Sequence, residues 1–137
     1  ARTTGPGVVV EQTAVGNPAT AILTNTVLAG NTTGIHVTDG NTATLQATLW
    51  GANGLANGQD WTGDGTIITG TVNIWGDPLF ANPDGGDYHV RPNSPAINAG
   101  ISTSVTVDID GEARLGFPDI GADEYVWYAH LPLVTKH

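Results

Sequence analysis

The segment Thr20 to Asn31 (TAILTNTVLAGN) lies over Thr42 to Asn53 (TATLQATLWGAN) with a constant offset of 22 residues. Thr20 matches Thr42, Ala21 matches Ala43, Leu23 matches Leu45, Thr26 matches Thr48 and Asn31 matches Asn53. Each copy alternates strictly. Odd positions carry Ala21, Leu23, Asn25, Val27, Ala29, Asn31 and then Ala43, Leu45, Ala47, Leu49, Gly51, Asn53. Even positions carry Thr20, Ile22, Thr24, Thr26, Leu28 and then Thr42, Thr44, Gln46, Thr48, Trp50. A period of two puts alternate side chains on opposite faces of a strand, and it excludes an amphipathic helix. The odd set is therefore expected to face inward and the Thr-rich even set to face water.

Gly34-Ile35-His36-Val37 reads as a second short strand between the copies, and Gly7-Val8-Val9-Val10 resembles it one longer turn earlier. Downstream, Ile67 falls 22 residues after Leu45, and Ile74 is placed to close that turn of the chain. A unit this short cannot bury its inward face alone, so it must stack on copies of itself. The expected fold is all-β: a short right-handed parallel β-helix, or β-solenoid, of 22-residue coils over 1–75, capped by a loop-rich segment over 76–125 and followed by an apolar tail over 126–137. About four or five coils at one strand spacing each would make a rod of roughly 20–25 Å. Asn25 faces inward on this reading and needs hydrogen-bond partners. Asn31 and Asn53 stand at matching corners, where amides can bond from coil to coil.

Composition narrows the function. Thirteen acidic against four basic residues give a net charge of −9, which opposes binding to nucleic acid or anionic lipid. No apolar run approaches the roughly 20 residues of a membrane span, and the start of the sequence lacks the basic-then-apolar pattern of a signal peptide. The chain is expected to be soluble, either mature or excised from something larger. Cys is absent, so no disulfide or thiol chemistry is available. The abundance of Gly, Thr and Asn suits an extracellular or cell-surface β protein.

After the repeat come GDPLFANPDGGDYHVRPNSPAINAG (76–100) and DIDGEARLGFPDIGADEY (108–125). Their Pro and Gly fix turns around isolated apolar anchors. These motifs, in this order, resemble the C-terminal end of secreted bacterial right-handed parallel β-helix repeat proteins of the pectate-lyase-like superfamily. The resemblance covers residues 76–125 strongly and the coils more loosely. It implies a cap closing the last coil, followed by a surface-anchoring or sorting tail.

Pectate lyases of that superfamily bind Ca²⁺ through grouped carboxylates and use a basic residue as base. Here Arg2, Arg91, Arg114 and Lys136 lie in the N-terminus, cap or tail, while Glu11, Asp39, Asp60 and Asp64 fall at predicted turns. No catalytic residue is assigned, because neither a lyase site nor the paired carboxylates of a glycosidase are gathered on one face. Asp108, Asp110 and Glu112 form a calcium-like D-x-D-G-E loop, but the third carboxylate and the spaced bidentate Glu of an EF-hand are missing. An acidic turn salt-bridged to Arg114 is the preferred reading, so no metal or other cofactor is assigned. His36, His89, His130 and His137 show no metal-ligand spacing and read as surface residues. Asn31-Thr32-Thr33 is a formal glycosylation sequon, for which a corner role is preferred.

Ile22, Leu28 and Trp50 are outward apolar positions, and Leu28 and Trp50 stack one coil apart into an expected exposed stripe. Val126, Trp127, Tyr128, Leu131, Leu133 and Val134 form an apolar tail expected to pair with an edge or cover that stripe. Together they are the candidate interface. The expected function is a non-enzymatic extracellular structural module that self-associates head to tail into filaments. The rival is the C-terminal part of a carbohydrate-binding or carbohydrate-degrading β-helix, with a polysaccharide as partner.

Overall fold

The β-branched and Thr-rich runs form strands, and the Gly- and Asn-rich stretches between them turn the chain, in a computed structural model that describes residues 4–127. Strands β1 (Pro6–Val10), β3 (Thr33–Val37) and β5 (Gln59–Thr62) make one parallel sheet in that order. Strands β2 (Thr20–Leu28) and β4 (Thr42–Gly51) make a second, in which β6 (Thr66–Thr69) continues the stack on the first half of β4 and β7 (Asn73–Gly76) on the second half. The chain alternates between the sheets, so it builds three levels: β1 with β2, β3 with β4, and β5 with β6 and β7. Among the described residues three levels stand where four or five coils were expected from the sequence.

The register between β2 and β4 is the one the repeat specifies. Thr20 lies beside Thr42, Leu23 beside Leu45 and Val27 beside Leu49. Elsewhere the spacing lengthens: His36 and Thr62, neighbours on β3 and β5, are 26 residues apart. Ile67 accordingly sits beside Ala43, not Leu45, because the corner between β4 and β5 is four residues longer than the one between β2 and β3, while the corner before β6 is two shorter than the one before β4. The extra residues are absorbed in turns and leave the strand pairing intact.

The expected alternation holds only for the first half of each long strand. Asn25 and Ala47, which stack on one another in the repeat, both adopt left-handed backbone (φ 49° and 58°). A left-handed residue bends the strand and resets which face the next side chain meets. Before the bend, Ala43 and Leu45 pack inward with Ile35 and Val37 of the other sheet. After it, Leu28 and Trp50 point into that same interior, while Val27 and Leu49 turn outward against Val90, Ala96 and Ile120. Leu28 and Trp50 are buried (4% and 0% exposed), which corrects the expectation that they form an exposed stripe.

The segment after β7 covers the outward face of that second half. Strands β8 (Phe80–Asn82) and β9 (Asp87–Val90) form an antiparallel hairpin, and residues 91–127 continue as turns and loops with one isolated bridge, Val107 to Ala113. The cap thus packs against the side of the stack. Asn25 fastens it: its Oδ1 accepts from the Ile101 N–H and its Nδ2 donates to the Ile101 carbonyl, both at 2.8 Å, while its own carbonyl accepts from Gly121. Gly100 is required here, because a Cβ on it would meet the Pro118 carbonyl at 2.7 Å and Asn25 Oδ1 at 2.8 Å. The side-chain amide expected to need partners has them, and they belong to the cap.

Candidate interaction surface

The clearest asymmetry in the stack is aromatic. Trp50, on the middle level, is fully buried; its Nε1 donates to Asn73 Oδ1 at 2.5 Å. Its ring lies 5.5 Å from that of Trp61 and 6.5 Å from that of Trp75, nearly parallel to the latter. Trp61 continues the column of Ile35, and Trp75 continues the column of Trp50. Each occupies a position that is completely buried one level earlier, yet Trp61 is 47% and Trp75 52% exposed. Nothing among the described residues lies on their far side in the sheets. Trp75 Nε1 donates to Asp60 Oδ2 at 2.7 Å, so its orientation is fixed even at the open level.

Among the described residues the opposite end is open as well. Strands β1 and β2 are terminal in their sheets among the described residues. Pro6 begins β1, where its missing N–H interrupts an edge. Beside β2 runs a groove of about 360 Å³ lined by Asn25, Thr26, Val27 and Ala29 and walled by Phe80, Tyr88 and the Gly121–Ala122 turn. Phe80 and Tyr88 meet edge to face at 5.3 Å. On the strand side only β2 contributes, which places this opening at the first level. Ile22, expected to face water, is exposed on the same strand.

The corner amides are paired differently from the expectation. Asn31 bonds to Asn57 Oδ1 through its backbone N–H at 3.1 Å and its Nδ2 at 3.3 Å, and Asn57 in turn donates to the Leu28 carbonyl and to Asp60. Asn53 instead begins a short 3-10 turn (Asn53–Leu55), because the longer corner carries the level-to-level partner four residues further on. Sequence identity at a corner does not survive a change in corner length.

In the cap, carboxylates hold turns closed. The calcium-like loop is an example: Asp108 Oδ1 accepts from the N–H groups of Asp110 and Glu112, and Oδ2 from that of Glu124. Burial opposes ionisation of Asp108, but these three donors outweigh it and hold its carboxyl below the ordinary range. Asp110 turns away to His89, so Asp108, Asp110 and Glu112 do not gather as one ligand set among the described residues. Arg114 pairs with Glu124 at 3.2 Å, not with the acidic turn, and also donates to the carbonyls of Asp119 and Gly121. Burial pushes the Glu124 carboxyl up despite that pairing. Asp119 accepts from Asn98 and Tyr125, which ties the two cap motifs together.

His89 is more than a surface residue. Its Nδ1 donates to Asp87 at 2.5 Å and its Nε2 to Asp110 at 2.6 Å, and these two carboxylates raise the ring to about 9, so it is an imidazolium at neutral pH. Asp123, buried and accepting from the Val90 N–H, brings a third carboxylate within 4.8 Å of His89 and Asp110. This cluster was invisible to spacing arguments because Asp110 and Asp123 lie 21 and 34 residues beyond His89 along the chain. It clips the β8–β9 hairpin to the 108–112 turn. His36 faces outward and bonds Thr62 Oγ1 at 2.7 Å.

Of the expected tail, Val126 and Trp127 are exposed. Tyr128, Leu131, Leu133 and Val134 lie outside the described residues. No helix among the described residues is long and apolar enough to cross a membrane. No known protein family, curated protein or solved structure matches the chain.

Proposed function

We propose that the chain is a right-handed parallel β-solenoid module of an extracellular or cell-surface bacterial protein, structural and non-enzymatic, which self-associates end to end. The observation that carries this is the contrast within the stacked columns: positions wholly buried at the middle level are half-exposed tryptophans at the last. A terminal strand presents unpaired backbone groups, and one that also presents apolar side chains is a template for another chain. The right hand follows from the general preference of parallel crossovers and from the resemblance of residues 76–125 to caps of right-handed β-helices. A contact between two unlike ends is heterologous, and it propagates as a filament when its rotation does not close.

The test is the size of the purified chain across a dilution series, by sedimentation velocity and electron micrographs. Elongated multimers whose length grows with concentration are the expected result; a monomer at all concentrations up to the millimolar range contradicts the reading. A second reading is favoured by the same two indoles, since exposed rings can stack on the apolar faces of sugars: a polysaccharide-binding solenoid. Binding of polygalacturonate or another acidic or neutral glycan that is lost in Trp61→Ala and Trp75→Ala, by a chain that stays monomeric, is the result that would select it.

A further inference from the structure

The two open ends are complementary in register, and this specifies the joint. The inference rests on the end-to-end reading above and names its partner surface. Within the chain, Val27 stacks on Leu49 and Leu49 on Ile74; Leu28 stacks on Trp50 and Trp50 on Trp75; Ile22 stacks on Thr44 and Thr44 on Ile68. The first and last members of each column share the same face, and the middle member shows what that face looks like once covered. We propose that the groove beside β2 receives strand β7 of a second copy, so that the β6–β7 edge of one copy continues the β2–β4 sheet of the next in the register already used inside the chain.

Each end supplies what the other lacks. In this joint Ile74 of the incoming copy stacks on Val27 and enters the groove between β2 and the Phe80–Tyr88 wall, and Trp75 stacks on Leu28 over the interior. The groove is apolar where the entering side chain is apolar, and its volume of about 360 Å³ accommodates an Ile side chain with part of a strand. The aromatic wall is built by the cap hairpin, which overhangs β2 without closing on it. This gives the cap a second task beyond covering Leu49 with Val90, Ala96 and Ile120. The occupant is a second copy because the columns at the two ends match in face and in register, and no feature of the groove asks for charge.

The chain contains no Cys, so an engineered disulfide reports the joint without background. Ile22 and Ile68 are both exposed and outward, and they end the same column. Inside one chain they are two levels apart, roughly 9–10 Å by the strand spacing, beyond the Cα separation a disulfide tolerates. Between copies in the proposed register they are direct neighbours at one spacing. Under mild oxidation, Ile22→Cys/Ile68→Cys is expected to give a ladder of disulfide-linked multimers on a non-reducing gel, at least tenfold more abundant than in the control Ile22→Cys/Ile109→Cys, in which the second exposed position lies in the cap. Each single variant should stop at dimers. Association by sedimentation without that ladder overturns this joint while leaving end-to-end association standing. A monomer by both measurements overturns both.

Discussion

The middle level and the two end levels are built from the same residue types in the same register, yet they differ in what surrounds them. At the middle level, Ile35, Val37, Ala43, Leu45, Leu49 and Trp50 are sealed from water, with a strand on either side and the cap over one face. At the first level, Leu23 and Val27 occupy the same columns and are only half-buried, whereas Val10 and Leu28, which point into the interior between the sheets, are already buried; at the last, Trp61 and Trp75 are half-exposed. Residue type alone does not decide burial. Neighbours above and below contribute to it, which is the energetic logic of any stack whose units cannot bury their faces alone.

The largest effect should come from the middle. Trp50→Ala removes a fully buried ring and its hydrogen bond to Asn73, and is expected to cost about 3–5 kcal/mol of unfolding free energy in a urea titration, while Trp75→Ala in dilute solution costs under about 1 kcal/mol. Equal costs would mean that the two levels are not distinguished by burial. Leu45→Ala against Leu23→Ala repeats the comparison within one column of the other half of the strand, with about 2–5 kcal/mol expected for the first and less than half of that for the second.

Next in size is the cap fastening. Asn25→Ala removes both bonds to Ile101 and places a β-carbon residue without a polar side chain at a left-handed position, with an expected loss of about 2–3 kcal/mol. Thr24→Ala, one residue away, removes a hydroxyl that donates to Gln46 on the outer face and should lose under about 1 kcal/mol. The same variant pair should differ in amide exchange of Ile101 and Gly121, which quickens in Asn25→Ala alone.

The smallest effect is electrostatic. Asp108 has its carboxyl held below the ordinary 3.8 by backbone donors, so its contribution is present above that value and is lost as pH falls through the lower, folded one. Asp108→Asn should therefore flatten the loss of melting temperature below pH 4 without altering the slope between pH 5 and 8. An unchanged acid limb in the variant would show that the turn is held by its backbone alone.

Much of this was legible in the sequence. The identity of Leu23 with Leu45 and Thr26 with Thr48 set the β2–β4 register correctly, because in a parallel stack equivalent residues must lie beside one another. The second sheet was legible too, since Gly34 to Val37 and Gly7 to Val10 are each a short, mostly β-branched run that follows a glycine. What escaped was the change of face at Asn25 and Ala47. Asn tolerates left-handed backbone, and its apolar surroundings marked it as unusual, but Ala47 carries no such signal. One undetected bend reassigned Leu28 and Trp50 from surface to interior. The cap's chemistry was legible only as a set of motifs: which carboxylate meets which donor depends on loop paths, so Asp110 found His89 and Arg114 found Glu124.

On the proposed function, the end levels are incomplete middle levels, completed by another copy of the chain. Backbone amide hydrogen exchange read strand by strand over a concentration series tests it most directly. Strands β3 and β4 are expected to exchange slowly at every concentration, while protection of β2, β6 and β7 rises toward theirs as the chain is concentrated. Protection of β2, β6 and β7 that stays low and unchanged while multimers form would contradict it.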